Sequence, residues 1–200
     1  MKIIKNNARA IYHNNTEKEV EIHYQDLYKK YQENIKNDHV DEYGLSVDGT
    51  DAIGTDSISI QLECDQETVD LINDLSLHME NENSMQYSHQ FEFNKDDELC
   101  FIEPKHLKDK ISLYDLWTFT CSYTERMVKT MLNEGAEKKD IESILPRSAK
   151  RTVRLNASVN AWNDFLHIKD AEKNREYQSL CSMISSELKK YYPAFFCNAE

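Results

Sequence analysis

The side chains able to do chemistry sit in three places. Glu82, Ser84 and Gln86 alternate along Asn81–Ser88, so every second position can donate or accept a hydrogen bond. Arg147, Lys150, Arg151 and Arg154 form a basic run that attracts anions. The same run also reads as a solvated strand face balancing an acidic chain. Lys169 and Glu176 bracket the approach to the last long helical pattern. A cation at a helix end and an acid in a first turn both suit the helix dipole without any ligand. His78 is a lone histidine just past a helical stretch. The chain has no Gly-rich phosphate loop, no His-x-x-x-His pair, no nucleophile elbow and no Cys-x-x-Cys. By these motifs alone it reads as a soluble α+β domain.

The elements that hold these residues follow from periodicity. Residues 1 to 15 read as irregular. Thr16-x-x-Glu19 is a capping box, and Val20, Tyr24, Leu27, Tyr28, Tyr31 and Ile35 recur at helical spacing. A helix from about Glu17 to Ile35 results, its tyrosine and leucine stripe read as core. Residues 37 to 55 hold Gly44, Gly49 and Gly54 and read as a loop. Ser57 to Glu63 alternates as a strand, and Asp65 caps a helix with Val69, Ile72 and Leu75 inward. Lys95 to Lys110 reads as a linker. A helix opening at Ser112 carries Leu116, Trp117, Tyr123, Met127 and Met131 on its face and is closed by Gly135. A short helix ends at Leu145-Pro146. Val153, Leu155, Ala157 and Val159 then alternate with polar residues as a half-buried strand. Trp162, Phe165, Leu166 and Ile168 form a helical cluster ending near Lys169. In the last helix Tyr177, Leu180, Cys181, Ile184, Leu188 and Tyr191 repeat every three or four residues, and Pro193 stops it.

Two hundred residues, 40% hydrophobic, suit a single domain over 1–200. A formal net charge of −12 repels phosphate backbones, which argues against nucleic-acid polymers as partners. No apolar run approaches the ~20 residues of a membrane helix, and the N-terminus has no signal-peptide core. Five scattered cysteines (Cys64, Cys100, Cys121, Cys181, Cys197) indicate reduced thiols and a cytoplasmic protein, with no metal site. Cys181 reads as a core residue.

The order and spacing of these pieces resemble the flavin-dependent thymidylate synthases (ThyX). The likeness covers residues 57–196, with 1–56 divergent. It rests on Gly135, Leu145-Pro146, Phe165-Leu166-His167-Ile168-Lys169, Glu176 and Asn81-Glu82-Asn83-Ser84-Met85-Gln86-Tyr87-Ser88. The last matches the tail of the family signature Arg-His-Arg-x-x-Ser-x-Asn-Glu-x-Ser-x-Arg-Tyr. The resemblance implies an α+β fold, a small sheet packed with long helices. It also implies homotetramers with FAD and dUMP at subunit interfaces. The implied activity is methylation of dUMP to dTMP, with methylenetetrahydrofolate and NADPH as co-substrates and no protein nucleophile.

Carried over residue by residue, Glu82 and Ser84 match dUMP ligands, and Gln86 stands where the family has an Arg. Lys169 replaces the Arg that approaches the pyrimidine, keeping the charge but not the fork. Glu142 stands where an Arg reaches the phosphate, which makes Arg147 and Arg151 the candidate phosphate contacts. Ser158 and Asn160 align with the Asn and Arg of the family's Asn-Ala-Arg. An ungapped count sets Asp74-Leu75-Ser76 against the flavin-holding Arg-His-Arg, leaving His78 as the nearest candidate flavin contact. Two readings follow. One is a ThyX-type enzyme with an altered cofactor site. The other is a ThyX-fold binding or assembly protein without flavin chemistry.

Overall fold

The computed structural model describes residues 1–11, 16–36, 57–76, 85–91, 98–168 and 174–197. Along them run β1 (Lys2–Ile4), β2 (Asn7–Ile11), α1 (Glu17–Lys36), β3 (Ile58–Cys64), α2 (Gln66–Ser76), β4 (Met85–Gln90) and β5 (Cys100–Ile102). After a 3-10 turn at Lys105–Leu107 come α3 (Ile111–Asn133), α4 (Lys138–Glu142), β6 (Arg151–Ala157), α5 (Val159–Leu166), α6 (Arg175–Tyr191) and α7 (Pro193–Phe196). The fold is α+β. A four-stranded sheet has the order β2-β3-β6-β4, and β1 and β5 form a separate parallel pair. The chain groups into two compact units. One comprises Met1–Asn7, Glu63–Asp70 and His89–Val153; the other comprises Ala8–Leu62, Leu71–Ser88 and Arg154–Glu200.

In the first unit Lys2 lies opposite Cys100 and Ile4 opposite Ile102. Antiparallel bridging between Phe101 and Ala149 adds Lys150 N–H to Cys100 O (2.9 Å) and Ile102 N–H to Ser148 O (2.7 Å). Phe101 is thereby locked into an apolar cluster with Leu99, Cys121, Val128, Ile141 and Ala149. The sequence expectation of irregular chain before residue 15, and of a bare linker from 95 to 110, is corrected by β1, β2 and β5. β1 and β5, each three residues long and paired with distant chain, show no alternation long enough to read.

The polarity of α3 also differs from expectation. Its buried residues are Cys121, Thr124, Glu125 and Val128, with Trp117 half-buried and donating to Ser148 Oγ at 3.2 Å. Leu116 and Phe119 are 63% and 70% exposed, and Tyr123 and Met127 are exposed with them. The helix has two apolar faces, and the sequence pattern picked mainly the solvent one. Glu125 is tolerated inside because it is fully partnered. It accepts from Leu99 N (3.0 Å), and lies 2.9 Å from the Met1 ammonium and 3.4 Å from Lys129 Nζ. Gly135 ends α3 at φ +85°, where Ala136 N–H returns to Met131 O at 2.9 Å.

In the second unit, alternation along β3 and β6 sends Ile58, Ile60, Leu62, Leu155 and Ala157 inward. Trp162 on α5 is fully buried and donates its indole N–H to Ile58 O (3.0 Å), so its one polar atom is satisfied. Asn174 caps α6, whose Tyr177, Leu180, Ile184 and Leu188 are buried at helical spacing. Glu187 on the same helix accepts the Ala10 N–H of β2 at 3.2 Å. The predicted capping box of α1 forms through Thr16 and Glu19, and Val20 and Leu27 are core. Its tyrosines are less deeply placed: Tyr24 and Tyr31 meet the Phe195 ring edge-on. Pro193 does stop α6, and it also starts α7 as the first-turn proline.

All five cysteines are free. No helix among the described residues is long and apolar enough to cross a membrane.

Candidate functional site

Of the four cations in the sequence's basic run, Arg147, Lys150 and Arg151 stand between the end of α4 and the start of β6, and each faces a carboxylate. The Arg147 guanidinium lies 2.7 Å from Asp70 Oδ2, and Gln66 Nε2 donates to Asp70 Oδ1 at 2.9 Å. The Gln66 hydrogen bond, with help from Arg147, holds the Asp70 carboxyl below its usual range against the cost of desolvation. Lys150 Nζ lies 3.0 Å from Glu63 Oε1. Arg151 NH1 is 3.8 Å from Glu142 Oε1, the loosest of the three.

Arg151 is the unusual member. Its side chain is only 12% exposed, and its guanidinium lies over the buried Phe91 ring at 5.2 Å. Such stacking suits the weakly hydrated, planar guanidinium. Arg151 Nε is buried with no hydrogen-bond partner among the described residues. An unsatisfied buried donor costs about 1–3 kcal/mol. Cys64 shares this setting, and burial pushes its thiol up to about 12, so it stays neutral beside the cation. The arrangement is a preformed cation on an aromatic shelf, incompletely paired with one partly exposed carboxylate. Chemically it can exchange Glu142 for a stronger anion. Sequence reasoning missed Phe91, Asp70 and Glu63 as the neighbours that decide these charges. Asp70 and Glu63 lie 77 and 87 positions from their partners, beyond any local signal.

Of the other sequence candidates, Gln86 is exposed on the edge strand β4. Glu82, Ser84, His78 and Lys169 fall outside the described residues. Ser158 has a local duty as N-cap of α5, accepting from Ala161 N at 3.2 Å. Glu176 sits exposed in the first turn of α6. Asp74, Leu75 and Ser76 form the ordinary end of an amphipathic helix. Leu75 is core, Ser76 Oγ donates to Asn73 O (2.8 Å), and Asp74 is exposed. This group does not fit a flavin pyrophosphate, because it offers no cation and one carboxylate.

The fold, α+β with a small sheet and long helices, is similar to that of solved ThyX-type structures. One solved structure it resembles is the UMP/dUMP methylase PolB from Streptomyces cacaoi bound with 5-Br dUMP, at TM-score 0.61 and 11% identity, covering 98% of this chain and 95% of that one. The same methylase bound with 5-Br UMP superposes at TM-score 0.59, again with 11% identity, covering 98% and 94%. Thymidylate Synthase X from Helicobacter pylori, with FAD and dUMP, gives TM-score 0.52 and 9% identity over 96% of this chain and 97% of that one. No protein-family model matches the sequence, and no curated protein is similar to it in sequence.

Proposed function

We propose that this chain is a divergent ThyX-fold protein that binds a pyrimidine nucleotide of the dUMP or UMP type. The observation that carries the reading is the fold match along nearly the whole of both chains to proteins solved with such nucleotides. In this reading Glu82 and Ser84 hold the pyrimidine edge, with Gln86 beside them. Lys169 supplies a point charge in place of a bidentate fork. Arg151 takes over the phosphate from the position on α4 that Glu142 now occupies, and Arg147 serves as a second, outer cation. An arginine held over a ring needs little reordering to grip a phosphate.

FAD would supply the electron-carrying chemistry of methyl transfer when bound, and methylenetetrahydrofolate and NADPH would be its co-substrates. The end of α2 does not suit it, with Leu75 committed to the core and Asp74 repelling anions. That observation favours the second reading, a ThyX-fold protein that binds nucleotide or assembles without flavin catalysis. Self-association belongs to both readings. The exposed stripe of Leu116, Phe119, Tyr123 and Met127 on α3 fits a helix-on-helix interface with another copy.

Calorimetric titration of dUMP and UMP, with an absorbance scan of the purified protein, tests the proposal. Saturable binding of either nucleotide to colourless protein is the expected result. Tight stoichiometric FAD would restore the enzyme reading. Failure of both nucleotides to bind at millimolar concentration would remove the nucleotide reading and leave a scaffold.

A further inference from the structure

We propose that the groove formed by the end of α5, α6 and α7 binds a small organic anion with an apolar body, of the medium-chain alkyl carboxylate class. The groove encloses about 500 Å³, within the size range of small-molecule sites. None of its lining residues is a position assigned above to nucleotide or cofactor, so the inference stands apart from the proposed function.

Its floor is apolar. Tyr177 and Phe196 are buried beneath it, with Leu166 and Cys181 beside them. The Tyr177 hydroxyl is already spent, donating to Phe165 O at 2.7 Å and accepting from Ile168 N at 2.9 Å. What Tyr177 shows the groove is therefore its ring. Burial raises the Cys181 thiol to about 11, so it too is a neutral, weakly polar surface. An apolar body displaces water from such a floor favourably.

The polar side of the groove is one face of α6. Ser182, Ser185 and Lys189 stand at spacings of three and four, one above another. From Ser182 to Lys189 is about 10 Å along the axis, roughly the length of an eight-carbon chain. The charge pattern selects the sign of the ligand. In a chain of net charge −12, no carboxylate among the described residues lines this groove, and Lys189 is the one ammonium among them. Lys189 has no ion-pair partner among the described residues. Among the described residues Glu187 accepts from Ala10 N, and Glu17 is 3.6 Å from Lys190 Nζ. At the far end His167 Nδ1 lies 2.7 Å from Asn163 O, which fixes the ring and leaves Nε2 for the ligand or water. A carboxylate at Lys189, steadied by Ser185, lays its chain over Cys181 and Leu166.

Calorimetry with octanoate, run against 1-octanol as the uncharged counterpart, tests this on the full chain. Octanoate should bind at one site about tenfold more tightly than octanol, and Lys189→Gln should erase that difference. Ser182→Trp, which fills the groove, should abolish binding while the circular dichroism spectrum stays unchanged. Absence of octanoate binding at 10 mM overturns the proposal. So does equal affinity for octanol, a comparison on the unmodified chain that needs no variant to fold. Full retention of octanoate affinity in both variants places the anion elsewhere and overturns it as well.

Discussion

Replacing Glu142 by glutamine isolates the charge that faces Arg151 while keeping size and hydrogen-bonding shape. At 3.8 Å two unit charges interact by about 1 kcal/mol in bulk water and about 4 kcal/mol at an intermediate dielectric. Glu142 is 40% exposed and Arg151 only 12%, so screening on the glutamate side brings the figure toward the lower end. Taking about 1 kcal/mol as released when the carboxylate is removed, the phosphate of dUMP should bind roughly fivefold more tightly to Glu142→Gln. Glu142→Arg is the poorer design, although it gives the residue type of the ThyX proteins that the sequence resembles, because it sets a second cation against Arg151. Arg151→Met should weaken dUMP binding about tenfold or more, since a charge-assisted contact is lost, and Glu142→Gln should then give no gain. The assay is isothermal titration of dUMP against the parent and the three variants at two salt concentrations, with weaker binding at the higher. If Arg151→Met binds dUMP like the parent, the phosphate does not meet Arg151. If Glu142→Gln leaves affinity unchanged while Arg151→Met lowers it, Glu142 does not compete for the site.

Three other outcomes are expected. Leu116→Glu combined with Phe119→Glu should convert a multimer to a 23.5 kDa monomer in light scattering, because both side chains lie on the exposed apolar stripe of α3. Glu125→Gln should cost about 1.5–3 kcal/mol in denaturant unfolding at neutral pH. Burial pushes the Glu125 carboxyl upward, but the Met1 ammonium, Leu99 N–H and Lys129 outweigh it and hold it below its ordinary 4.5. The Met1 ammonium is raised above 8.0, mainly by its hydrogen bond to Glu125. The pair's contribution is therefore complete between about pH 4.5 and 8. It fades as pH falls through the lowered carboxyl value or rises through the raised amine value. A pH series of urea midpoints shows this plateau in the parent, and Glu125→Gln should flatten both edges. Gly135→Ala should lower stability by about 1–2 kcal/mol. Nothing lies within 4 Å of an added Cβ, so the cost is the φ of +85° alone, and thermal unfolding measures it.

What the sequence revealed and what it hid divide along chain distance. The caps were legible because a capping box or an Asp65 cap is written within four residues, and both form as read. β3, β6 and α6 were legible because each buries a clean period along one face. β1 and β5 were not, because their pairing spans about a hundred positions and each is three residues long. α3 misled because an amphipathic pattern shows that a face is apolar, not which face meets the core. At the candidate site the cations themselves were visible, but their carboxylate partners and the Phe91 shelf were not. Arg147 and Arg151 look alike in the sequence. One proves to be an exposed, well-paired surface arginine and the other an almost buried, under-paired one. No local rule separates them, since the difference comes from Asp70 and Phe91.

The bond from Ala10 N–H to the Glu187 carboxylate has a consequence for how the molecule behaves in a crowded solution. Among the described residues β2 is an outer strand of its sheet, and an edge amide is the kind of group onto which a stray chain can add. A helix-borne carboxylate occupying that amide closes the site to intruders and leaves a negative charge beside it. The protection comes from one acid at the right turn of α6. It also leaves the sheet asymmetric: β4 keeps the other margin, so an extended peptide seeking a strand to join would be directed to the side that carries Gln86.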